Sequence, residues 1–229
     1  MPAHPPEAAD VDAAGGAPSA DRAYDHLREA DPVLARLMDE DGIPEGEFAE
    51  RASGRRPQGD NYAALVRSIV GQQLSTFAAR AIYGRMLERF GGHPPTTQQI
   101  LDDDPEELRT AVGLSHAKVR YLRSLAEHIV SGELDLEHFD GVPDDEVIAR
   151  LTAVKGIGEW SAHLFLMFQL ARPDVLAVGD LGIRRAVQRA YDLQALPTPA
   201  ELTKLAEPWR PYRTAACLVL WTSLHNEPT

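Results

Sequence analysis

The chain is punctuated for helices and for little else. Asp104-Pro105-Glu106-Glu107 places a cap, a first-turn proline and a reaching acid in the order that starts a helix. Thr198-Pro199-Ala200-Glu201 repeats that order ahead of Leu202 and Leu205, and Asp31-Pro32 is a weaker version. Gly91-Gly92-His93-Pro94-Pro95 ends a long helix that begins near Ser75. From about Asp21 onward no segment shows the convincing alternation a half-buried strand needs. The expected fold class is all-α, with helices near 22–40, 60–71, 76–90, 97–102, 105–112, 116–131, 144–153, 159–171, 181–191 and 200–224, the last broken at Pro208 and Pro211. Residues 1–20 hold seven alanines, four prolines and two glycines and read as a disordered tail, leaving 21–229 for the fold. Such a helical chain should bury two hydrophobic faces with a groove between them, a frequent place for a ligand.

Composition excludes several alternatives. The 229 residues are 44% hydrophobic and 25% charged, which is ordinary for a soluble globular chain. The densest apolar run, Leu164 to Leu170, already contains Gln169, so no membrane span is expected. No secretory signal opens the sequence, and a cytoplasmic setting fits best. The single cysteine, Cys217, cannot make an internal disulfide or a four-thiolate iron–sulfur site.

The net charge of −12 argues against a nucleic-acid partner until it is divided along the chain. Residues 61–100 carry four Lys or Arg against one acid, and residues 151–190 carry five against three. Two mildly basic stretches inside an acidic chain can still hold a phosphate backbone, with weak long-range steering.

The informative stretch is Leu151-Thr-Ala-Val-Lys-Gly-Ile-Gly-Glu-Trp-Ser-Ala162. Gly156 and Gly158 separate two helices. Paired glycines allow a tight turn with positive φ and let a phosphate approach bare backbone N–H groups, with the second helix's dipole behind them. The same pattern also suits a plain helix–turn–helix corner. Followed by Val178-Gly179-Asp180, it resembles the helix-hairpin-helix superfamily of base-excision DNA glycosylases, most closely the 3-methyladenine DNA glycosylase II family. Ile69-Val70-Gly71-Gln72-Gln73-Leu74-Ser75, Gly113-Leu114-Ser115 with Lys118, and Trp209-Arg210-Pro211-Tyr212-Arg213 with Leu220-Trp221 are similar to further family motifs, in the family's order.

The resemblance implies two helical subdomains with the hairpin, about 144–171, and an active-site cleft between them. It implies Asp180 as the catalytic carboxylate, although a helix start also suits an N-cap aspartate. Trp160, Trp221 and Leu164 would line the base pocket. Leu164 stands where relatives often have an aromatic, which would leave the pocket more open. Gln72, Gln73, Lys155, Gly156, Gly158 and Ser161 would meet DNA, with Gln73 at the wedge position. No cofactor is required, but the carbonyls of Thr152, Val154 and Ile157 would match a structural Na+ or K+ site. Trp160 occupies the place of the Schiff-base lysine in bifunctional relatives, so no strand-cleaving step is expected. The short stretch before the first motif implies the compact form without an N-terminal β-rich domain. His163 and Cys217 read as packing residues.

The implied activity is a monofunctional glycosylase acting, as a monomer, on alkylated bases in double-stranded DNA. A non-catalytic helix-hairpin-helix DNA-binding module and a glycosylase for another lesion class stay open. An adenine or thymine mismatch enzyme is disfavoured by the missing cluster cysteines.

Overall fold

The computed structural model describes residues 20–45 and 60–225. The expected tail lies outside the described residues, apart from Ala20, where the first helix begins. Twelve α-helices are present among the described residues: α1 (Ala20–Ala30), α2 (Pro32–Asp41), α3 (Asn61–Gly71), α4 (Thr76–Arg89), α5 (Thr97–Asp102), α6 (Pro105–Val112), α7 (His116–Val130), α8 (Asp144–Thr152), α9 (Glu159–Phe168), α10 (Leu181–Ala190), α11 (Pro199–Leu205) and α12 (Arg213–His225). A 3-10 turn, Glu207–Trp209, joins the last two. No strand occurs among the described residues.

Local chemistry accounts for most boundaries. Thr198 and Glu201 cap α11 reciprocally, and Thr96 with Gln99 does the same for α5. Asp104 accepts the amides of Glu106 and Glu107 at the head of α6, and Gly113 ends that helix in the left-handed region. The expected first helix over 22–40 is two helices instead. Asp31 is the break: its carboxylate accepts the amides of Val33 at 2.9 Å and Leu34 at 3.3 Å, and Pro32 starts α2. The same carboxylate takes the Trp209 indole N–H at 2.7 Å and the Tyr191 hydroxyl, so it ties both ends of the chain together.

The helices form two groups within one continuous hydrophobic core. In one, α1 and α2 pack on each other, and α2 and α10 pack on α12. In the other, α3 packs on α4 and α7, α4 on α6, α5 on α7, and α8 on α9. In chain order the described helices thus begin in the first group, build the second, and return to the first. The helix α9, with Ala162, Phe165, Leu166 and Met167 buried, borders the cleft between the groups.

Candidate active site and nucleic-acid face

Asp180 is the N-cap of α10 and is 8% exposed. Its Oδ1 accepts the Ile183 amide at 2.8 Å and the Trp221 indole N–H at 3.1 Å. Its Oδ2 accepts the Trp160 indole N–H at 2.6 Å. All three partners are donors, the complement of an ionised carboxylate, which can only accept. The capping role and the cavity position therefore coexist in one side chain.

The two tryptophans come from different helices. Trp160 lies in the first turn of α9 and stays 44% exposed, while Trp221 lies in α12, half-buried, with Phe168 at a ring distance of 6.1 Å. The sequence offers them as stacking faces. The structure adds a second function: their N–H edges hold the carboxylate. Gly182 eases this approach: a Cβ there would crowd Asp180 Oδ1 at 3.0 Å, while its 3.5 Å from the Trp221 ring would be ordinary contact. Sequence reasoning missed Gly182, because only the fold brings α12 against the start of α10.

Asp180, Trp160 and Trp221 line a cavity of about 790 Å³. Leu164, Phe168, Leu218 and Thr222 complete one part of its wall, and the segment Asp41–Glu45, at and beyond the end of α2, supplies the rest. Leu164 also borders a neighbouring cavity of about 350 Å³ and so stands between the two. A cavity of this size suits a small ring system, and its electron-rich faces suit a cationic one.

A second groove, of about 360 Å³, shares Trp160 with the first. Gln72, Gln73, Gly156, Gly158 and Ser161 line it, so five of the six expected DNA-contact residues meet there. Lys155 does not line that groove; it is exposed beside it, with its amide on Ser124 Oγ at 3.2 Å. Lys118 and Tyr121 of α7 line the groove and were not anticipated as contacts. Lys118 Nζ donates to the Val70 carbonyl at 2.7 Å, and burial lowers its pKa. Gln72 Nε2 donates to the Gly156 carbonyl at 2.9 Å, locking the α3–α4 turn to the hairpin. Gln73 is exposed at that turn with φ 57, a conformation uncommon for a non-glycine residue.

The two hairpin glycines have different reasons to be there. Gly156 has φ 94, and a Cβ on it would lie 2.1 Å from the Tyr121 ring. Gly158 does not need positive φ. It is extended, with φ −95 and ψ 171, and caps α9 without a side-chain hydrogen bond. A Cβ there would meet nothing within 4 Å. The open helix start suits an anion, although Glu159 in its first turn opposes one. At the turn the Val154 carbonyl accepts the Ile157 amide at 3.1 Å. Among the described residues no group of His, Cys, Asp or Glu side chains could hold a metal ion. Nor is any helix long and apolar enough to cross a membrane.

His163 and Cys217 are packing residues. His163 is 7% exposed, and Cys217 is fully buried with its thiol pushed up to about 12 by burial.

Residues 66–211 match the family model for the HhH-GPD superfamily base excision DNA repair protein. The chain belongs to the HhH-GPD superfamily. Among HhH-GPD proteins it is 38% identical to DNA-3-methyladenine glycosylase 1 of Schizosaccharomyces pombe over 162 residues, covering 70% of this chain and 71% of that one. It is 34% identical to the DNA-3-methyladenine glycosylase of Saccharomyces cerevisiae, of whose length it spans 58%. A solved structure of the S. pombe 3-methyladenine DNA glycosylase in complex with abasic DNA superposes with a TM-score of 0.75 at 34% identity, covering 87% of this chain and 95% of that one. A DNA-3-methyladenine glycosidase from Bacillus halodurans superposes at 0.73 and 36%, covering 88% of each chain. The two solved chains share this fold.

Proposed function

We propose that this protein is a monofunctional DNA glycosylase that removes alkylated bases of the 3-methyladenine and 7-methylguanine type from duplex DNA. One observation carries the reading: a buried carboxylate, oriented by three N–H donors, lines an aromatic cavity that opens beside a groove able to take a phosphate backbone. A binding module needs the groove and the hairpin alone. The cavity with Asp180 has no use there, which favours the enzyme.

The chemistry follows from the placement. The target nucleotide leaves the stack at a cost of a few kcal/mol and enters the cavity. Its C1′–N bond breaks, the electron pair departs with the base, and positive charge develops on the sugar. The Asp180 carboxylate stabilises that charge without reorganising, because its donors already hold it. Water adds at C1′ and loses a proton, leaving an intact strand with an abasic site. Trp160 stands at the lysine place of bifunctional relatives, so no Schiff base forms there. The carbonyls of Thr152, Val154 and Ile157 would hold a Na+ or K+ ion, whose positive charge would favour a phosphate at the hairpin. We read the working form as a monomer.

The test is base release from methylated duplex DNA, followed by borohydride treatment. Free methylated base with an intact abasic strand and no trapped protein–DNA adduct is the expected result. Duplex binding without release of any base from a lesion panel would support the module instead.

A further inference from the structure

The cavity has an unusual charge inventory. Three acids line it, Asp41, Glu45 and Asp180, and among the described residues no Lys, Arg or His does. Asp180 is absorbed by the chemistry at the sugar. Asp41 and Glu45 are not: Asp41 is the last residue of α2 and Glu45 lies four residues on, with Ile43, 43% exposed, and Pro44 between them. Carboxylates beside a DNA-binding cleft weaken phosphate binding, so backbone affinity does not explain them.

We propose that Asp41 and Glu45 make the cavity selective for positively charged bases, with Glu45 as the main specificity-determining residue. The inference rests on the alkyl-base reading and deepens it by naming wall residues that would rank a cationic purine above a neutral one of the same shape. The ring faces of Trp160, Trp221 and Phe168 favour a cation at short range only. A carboxylate on the wall acts over a longer distance, and more strongly in a cavity partly closed to water. A neutral purine gains nothing from it. Ile43 and Pro44 give the same wall an apolar surface for the base plane, so shape and charge are read by one segment. An anionic or phosphorylated ligand would be rejected from this cavity by the same residues.

The experiment measures single-turnover excision at saturating protein, where differences in duplex affinity drop out. Duplexes carry one 7-methylguanine, which is cationic, or one hypoxanthine, which is neutral. Glu45→Gln should lower the ratio of the two rates by roughly fivefold, and Glu45→Lys by more, with a smaller effect at high salt. Asp41→Asn should move the ratio in the same direction. Because Asp41 ends a helix, the exposed Glu45 carries the test if that variant loses stability. A ratio unaltered in both Glu45 variants, or equal losses on the two bases, would overturn the inference while leaving the alkyl-base reading intact. Failure of the unaltered protein to release either base would overturn both.

Discussion

Asp180 and Trp160 are joined by a 2.6 Å hydrogen bond from the indole N–H to the carboxylate, across twenty residues of sequence. The tryptophan thereby has two tasks. Its N–H holds the acid, and its side chain borders the cavity. It also lines the groove on the other side, so one side chain connects the base cavity to the surface where a phosphate backbone would lie.

Asp180→Asn keeps the cap to Ile183 but removes the charge. Base excision should fall by about 10²-fold or more. Affinity for a duplex with a stable abasic analogue should stay near that of the unaltered protein. Turnover within a few-fold of normal would remove Asp180 from the chemistry.

Trp160→Phe separates edge from face. It deletes the N–H while keeping an aromatic ring, so cationic and neutral bases should be excised more slowly by the same factor, about tenfold, through a looser carboxylate. Trp160→Leu also removes the ring face and should penalise the cationic base more. Rates for both bases measured in parallel decide it; full activity of Trp160→Phe would reduce the indole to a base contact.

Gly156 and Gly158 should respond differently to alanine. Gly156→Ala forces a Cβ into the Tyr121 ring at positive φ and should cost about 2–4 kcal/mol of stability, read by denaturant unfolding. Gly158→Ala meets no neighbour and should leave stability unchanged. Its effect, and more so that of a bulkier residue, should appear as weaker binding to undamaged duplex. Unchanged binding and salt dependence with a bulky residue at 158 would mean that the hairpin does not hold DNA.

Burial holds the His163 imidazole below its ordinary pKa, with Glu159 at 4.0 Å and Asp144 opposing the shift. The unfolded chain therefore binds the proton at a higher pH than the folded one. Stability is full above the unfolded value of 6.5 and declines as pH falls from there towards the lower folded value. A volume-matched neutral substitution, His163→Gln, should flatten that acid-side decline in a series of unfolding curves. An unchanged slope would assign the decline to other groups.

Two aspartates show how far sequence reading reaches. Asp31 and Asp180 both cap helices, both are nearly buried, and both accept an indole N–H. Their local signals differ little. Asp31 is spent on Trp209 and Tyr191 as a structural tie, while Asp180 lines a cavity. From the sequence side Asp180 was marked chiefly by the family resemblance, and more weakly as a lone acid between apolar Val175–Val178 and basic Arg184-Arg185.

Helix identity, most caps, the break before Trp209 and the hairpin position were settled by the sequence itself, because propensity, capping and turn chemistry act over a few neighbouring residues. Tertiary structure alone decided the rest: the grip of two tryptophans on one carboxylate, the reason Gly156 cannot be alanine, and the placing of the acidic segment from Asp41 to Glu45 on the same cavity. Each depends on groups far apart in the chain meeting within a few ångströms, a distance that spacing along the sequence does not encode.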